Sequence, residues 1–213
     1  TIDGSITRLY LWSKKLFEDS QFKEEYFSSY QDALKTAKDL LNSIQSIKTS
    51  HFSEMAIGAI TTCASVCVRD AFDKLDESDK QWCFKIIIDS AFLHADVTEG
   101  AALYDKTDHY GSGACAFVLP KLFDLELDAE AEGALKMAIV TALTHGNQNI
   151  AVCAAKGVRE YLWEREYDFA LNLLNGMIEY AKFRKESIAA RQFYYLQGRE
   201  RDAADKKWSS LVS

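Results

Sequence analysis

The sequence predicts an all-α fold, an α-solenoid of HEAT- or armadillo-like antiparallel helix pairs, on three observations. The first is composition: one proline and ten glycines in 213 residues are too few for a loop-rich or all-β chain, and 48% apolar residues are too many for a disordered one. The second is that apolar residues recur at helical period along almost the whole chain. The third is a short phrase written three times. Cys63-Ala64, Cys115-Ala116 and Cys153-Ala154 are each followed six positions on by a basic residue (Arg69, Lys121, Arg159) and thirteen positions on by an acidic one (Asp76, Asp128, Glu166). The copies stand 52 and 38 residues apart, and helix pairs at a pitch near forty are the HEAT and armadillo pattern. The Trp, Gly, Tyr and Pro pattern of tetratricopeptide repeats is absent.

Residues 1–49 are expected to form N-terminal capping helices. Ile6, Leu9, Tyr10, Leu16 and Phe17 set the stripe of the first, over 5–18. The second runs from Phe22 to Ile47 with Tyr26, Phe27, Tyr30, Leu34, Ala37, Leu40, Leu41 and Ile44 on one face and Lys, Glu, Asp, Gln and Ser on the other, so it packs on one side only. Residues 50–213 are expected to be helical repeats, at about 50–98, 108–145, 147–183 and 186–213, forming one continuous domain. The third helix, from Ser53 to Leu75, is apolar on most faces and belongs between neighbours. A fourth starts at Asp76 or Ser78 and fades near His94. Residues 95–110 form the longest expected loop. Helix five starts near Asp108 or Ser112, and Pro120 bends or ends it. Asp128, Glu130 and Glu132 suit the positive end of helix six, His145-Gly146-Asn147 stops it, and helices seven and eight are Ile150 to Trp163 and Tyr167 to Phe183.

A net charge of −7 and a pI near 5.2 argue against a general nucleic-acid binder, whose affinity comes from neutralising phosphates. The exception is residues 182–207. Eight basic residues there face four acidic ones, an excess of four that leaves the rest of the chain near −11. Of the five cysteines, Cys63, Cys67, Cys115 and Cys153 fall inside apolar helical runs, where reduced thiols behave as small hydrophobes. No run of about eighteen uncharged apolar residues is found, and no membrane span is predicted. The chain opens on Thr1 without a basic-then-apolar leader, and is read as a segment cut from a longer, cytoplasmic polypeptide.

Catalytic chemistry is not legible. His94, Asp96, Asp105, Asp108 and His109 fall near one loop and His145 one repeat later, which would suit a divalent metal that activates water. The familiar His-Asp doublet is reversed, however, and helix-end histidines are the plainer reading. Cys63 and Cys67 share a helix face, but no second ligand pair accompanies them. Gly111-Ser112-Gly113 lacks the preceding strand and the lysine of a P-loop. There is no GxSxG elbow and no Arg-then-His ribonuclease signature. No catalytic residue, metal or cofactor is therefore assigned.

The stretch from Ile150 to Lys182, and within it Gly157-Val158-Arg159-Glu160-Tyr161-Leu162-Trp163 followed by Phe169-Ala170-Leu171, resembles the helical-repeat regions of large bacterial STAND-type NTPases, some of them antiphage defence proteins. The chain has no Walker motif. The resemblance implies a sensor or scaffold segment, and not the NTPase itself. The expected function is thus a non-catalytic helical-repeat module for protein or peptide recognition, with Arg159, Trp163, Arg191, Tyr194 and Tyr195 as candidate partner-binding residues. The alternative is a HEAT-like DNA glycosylase, for which Trp82, Trp163 and Trp208 are available but an acidic chain is a poor groove. Nucleic acid would bind through residues 182–207.

Overall fold

The computed structural model describes residues 1–18, 27–45, 50–90, 108–143 and 148–163, together with positions 168, 170 and 172. Among these there are seven α-helices and no strand: α1 Ile2–Glu18, α2 Phe27–Gln45, α3 Ser50–Ala71, α4 Glu77–Ser90, α5 Asp108–Val118, α6 Ala129–Leu143 and α7 Gln148–Tyr161. Two 3₁₀ turns, Phe72–Lys74 and Leu119–Asp124, follow α3 and α5 directly. The all-α prediction holds. The expected helix over 186–213, that over 167–183 apart from the helical positions 168, 170 and 172, and most of the loop at 95–110 lie outside the described residues, while Asp108 to Tyr110 already belong to α5.

The chain divides into two compact units, Thr1–Cys115 and Ala116–Ser213. The division falls inside α5. In the first unit α3 packs against α1, α2 and α4 alike, so the two N-terminal helices share a core with α3 and α4.

In the first unit α2 buries Tyr30, Ala33, Leu34, Ala37, Leu40 and Ile44, the i, i+3, i+4, i+7 stripe its sequence writes, and exposes Gln31, Asp32, Lys35 and Asp39. Burying a side chain such as Leu34 stabilises by about 1.5–3 kcal/mol. Every residue of α3 from Ala59 to Val68 is buried. Three of these are hydroxyl residues, and each donates back along its own helix, Thr61 to the Ile57 carbonyl at 2.6 Å, Thr62 to Gly58 at 2.7 Å and Ser65 to Thr61 at 2.8 Å. Their polarity is satisfied within α3, which lets a Thr- and Ser-bearing helix lie in a core.

Met55–Lys74 is long and apolar enough to cross a membrane by length and composition, with mean hydropathy 1.3, and 72% of it is buried inside the protein. The stretch is not an uncharged run, since it carries Arg69, Asp70, Asp73 and Lys74. Burial by α1, α2 and α4 is the setting of a core helix, and no other described helix passes the same test.

In the second unit α6 buries Leu135, Ala138, Ile139, Ala142 and Leu143. It packs on α7 and on the 3₁₀ turn Leu119–Asp124, which also meets α7. Pro120 sits at the start of that turn, so α5 ends where the proline removes a donor.

Candidate functional site

The thirteen-residue offset from each Cys-Ala pair to an acidic residue is a helix cap. Asp76 Oδ1 accepts from the Asp79 N–H at 2.8 Å at the start of α4, and Asp128 Oδ1 accepts from the Ala131 N–H at 2.8 Å at the start of α6. Each satisfies an otherwise orphaned donor of the first turn. The residue closing each 3₁₀ turn also matches. Leu75 and Leu125 are extended, at φ −69°, ψ 145° and φ −78°, ψ 149°. Both are buried, and their N–H groups bond back to Phe72 and Leu122 at 3.2 and 3.1 Å. Helix, 3₁₀ turn, buried leucine and Asp-capped helix thus occur twice. Glu166, the cap expected in the third copy, lies outside the described residues.

The basic residue of the phrase has a different use in each copy. Arg69 donates through Nε to Asp70 Oδ1 at 2.6 Å and through Nη2 to Asp70 Oδ2 at 3.0 Å. Its Nη2 also reaches the Leu16 carbonyl at 2.5 Å, one of the acceptors left over at the end of α1. The Tyr30 hydroxyl donates to Asp70 Oδ2 at 3.0 Å, and Trp12 meets the Tyr30 ring edge-on at 5.3 Å. This ties α1, α2 and α3 through one polar cluster that is almost dry, the Arg69 and Asp70 side chains being 14% and 6% exposed. Burial and the Asp70 carboxylate push the Tyr30 phenol well above its ordinary range. A phenol so fixed has no use as an acid or base near neutrality. Lys121 instead lies over the Tyr161 ring at 5.6 Å, and Phe117 meets the same ring at 5.4 Å. Arg159 is exposed.

The five thiols are all free, with Cys63, Cys67, Cys83 and Cys115 buried. Cys83, which the repeat phrase does not contain, joins Cys63 and Cys67 in the α3–α4 core. Burial drives the Cys67 thiol well up, helped by its hydrogen bond with Cys63. It raises Cys83 as well and pushes Cys115 up to about 12, against the opposing effect of the Ser65 hydroxyl 3.2 Å away. Cys153 is raised by burial and partly offset by Lys156. Neutral, enclosed thiols are packing groups and poor nucleophiles. Among the described residues no group of three or more His, Cys, Asp or Glu is arranged to hold a metal ion. His94 and His145, and the side chain of His109, lie outside them.

Of the candidate partner-binding residues, Arg159 is at the surface of α7 beside Lys156 and Glu160. Trp163 is not displayed there. It is 3% exposed, and its backbone N–H, with that of Leu162, bonds to the Val158 carbonyl at 3.0 Å, curling the chain inward past the end of α7. Arg191, Tyr194 and Tyr195 lie outside the described residues, as does the rest of the basic segment 182–207. Gly157, within the stretch that carries the STAND resemblance, touches α5: a Cβ there would lie 2.8 Å from the Phe117 carbonyl carbon. No protein family matches the chain, no curated protein matches it, and no solved structure matches it.

Proposed function

We propose that the chain is a non-catalytic helical-repeat module that recognises or scaffolds another protein. The observation that carries this reading is the recurrence of one turn, a 3₁₀ turn closed by a buried leucine (Leu75, Leu125) and followed by an Asp-capped helix (Asp76, Asp128), once after α3 and once after α5. Stacked repeats of this kind gain their function from the extended surfaces they build. The chemistry of the described interior agrees, since the thiols of Cys67, Cys83 and Cys115 and the Tyr30 phenol are held neutral and the Tyr30–Asp70–Arg69 cluster ties α1, α2 and α3 together. On this reading the parent polypeptide belongs with the bacterial STAND-type NTPases, the chain acting as its sensor segment. The corners carry Asp73, Asp76, Glu77 and Asp79 in one pair and Asp124, Glu126, Asp128 and Glu130 in the other, a charge that repels phosphate backbones and favours a protein partner.

The test is capture from lysate with the chain as bait, with and without nuclease. A specific protein retained after nuclease and mild salt supports recognition. Retention of nucleic acid alone, lost as salt is raised, overturns it.

A further inference from the structure

Resting on that reading, the structure also points to what one surface takes. The corner register aligns α6 with α4, Asp128 with Asp76, and the outward positions then differ in kind. On α4 they are Gln81, Lys85 and Asp89, all exposed and polar; on α6 the same places hold Gly133, Met137 and Thr141. Ala134 and Val140 extend the α6 face, and Met137, 66% exposed, is the most exposed large apolar side chain among the described residues. With Leu135, Ala138, Ile139, Ala142 and Leu143 on the inner side, α6 carries from Gly133 to Leu143 a single charged side chain, Lys136, which is paired with Glu132, and a stretch so apolar has the composition of one covered on more than one side.

The two glycines of the second unit's described helices sharpen the point. A mid-helix glycine costs about 1 kcal/mol relative to alanine, and Gly157 has a reason for it, the Phe117 backbone lying against its Cα. At Gly133 an added Cβ would meet nothing within 4 Å. The same vacancy is present, and its seat is open. The N-terminal end of this face is acidic, with Glu126, Asp128 and Glu130 exposed, whereas Glu132 is paired with Lys136 at 2.6 Å.

We propose that the outer face of α6 docks a helix from a partner protein that is apolar along one side, packs close at Gly133 and Ala134, and carries lysine or arginine where it passes Glu126 and Glu130. Apolar anchoring supplies the affinity and the acidic end sets the direction in which the helix lies.

A fluorescent synthetic helix of roughly eighteen residues, five turns, with leucine and alanine on one face and lysine elsewhere, is titrated against the full chain by anisotropy. A second peptide replaces every lysine by glutamate. The lysine peptide should bind at least about tenfold more tightly than the glutamate peptide, and Met137→Gln should weaken it about fivefold or more without moving the melting temperature. Equal binding of the two peptides, or indifference to Met137→Gln, overturns the proposal. So does a melting temperature lowered by Met137→Gln, which would mean that the chain already covers this face, or a dimer that dissociates in that variant, which would make a second copy the occupant. If these fail while the lysate capture still retains a protein, recognition stands and uses another surface.

Discussion

Gly157 of α7 stands so close to the Phe117 carbonyl of α5 that an added Cβ would sit 2.8 Å from the carbonyl carbon and 3.1 Å from the Phe117 Cα. Both atoms belong to backbone, which cannot rotate away as a side chain can. Gly157→Ala removes about 1 kcal/mol of helix penalty, yet it is expected to destabilise by about 2 kcal/mol or more, through overpacking. Gly133→Ala, with open space around it, is expected to gain up to about 1 kcal/mol. Urea denaturation of the two variants checks the opposite signs, and a stabilised Gly157→Ala would contradict the close approach.

The Arg69–Asp70–Tyr30 cluster predicts unequal losses. Asp70→Ala leaves a guanidinium in a nearly dry site without its carboxylate and should cost about 3–5 kcal/mol. Tyr30→Phe removes one hydrogen bond to a charged acceptor, about 1.5–3 kcal/mol. The double variant should lose clearly less than the sum, because both changes break the same bond. A double-mutant cycle by chemical denaturation reads the coupling directly, and strict additivity would deny the contact.

The two aspartate caps should each be worth about 1 kcal/mol. Asp76→Ala and Asp128→Ala are expected to lose that amount, and Asp→Asn at either position to keep most of it, since Asn also caps well. Equal losses for Ala and Asn would assign the effect to charge and not to the hydrogen bond.

Alkaline solution is expected to destabilise the protein. The folded-state thiols of Cys67, Cys83 and Cys115 are raised, so their contribution is fully present below the unfolded thiol pKa of about 8.5. It is lost as pH rises from there toward the folded value, about 12 for Cys115. Within that window stability should fall by about 1.4 kcal/mol per pH unit for each thiol that ionises only when unfolded. Melting temperatures from pH 7 to 11 follow this, and Cys115→Ala should flatten the slope. A thiol reagent at neutral pH should label half-buried Cys153 first and the four buried cysteines only on unfolding.

Much of the architecture could be read before any coordinates. The stripe from Tyr30 to Ile44 wrote the single buried face of α2, Pro120 marked the end of α5, and Asp76 and Asp128 marked the caps of α4 and α6, because each signal is local and acts within one turn. Less was legible where distant residues decide. Nothing near Arg69 in the sequence tells that its guanidinium closes the end of α1 at Leu16. Trp163 reads as an interface aromatic, but the turn onto Val158 buries it. Cys83 lies outside the repeat phrase, and only the packing of α4 on α3 brings it into the sulfur-rich core. The partner of Gly157 in α5 is likewise distant in sequence.

The corners have a consequence for how the chain is made. Each is fixed by bonds that span no more than four residues, from Leu75 back to Ala71 and Phe72 and from Asp79 to Asp76, then again from Leu125 to Leu122 and from Ala131 to Asp128. Such bonds can close before the flanking helices find each other, on the microsecond scale of local structure. A nascent chain leaving the ribosome would therefore turn each corner as it emerges, ahead of the slower packing of the flanking helices.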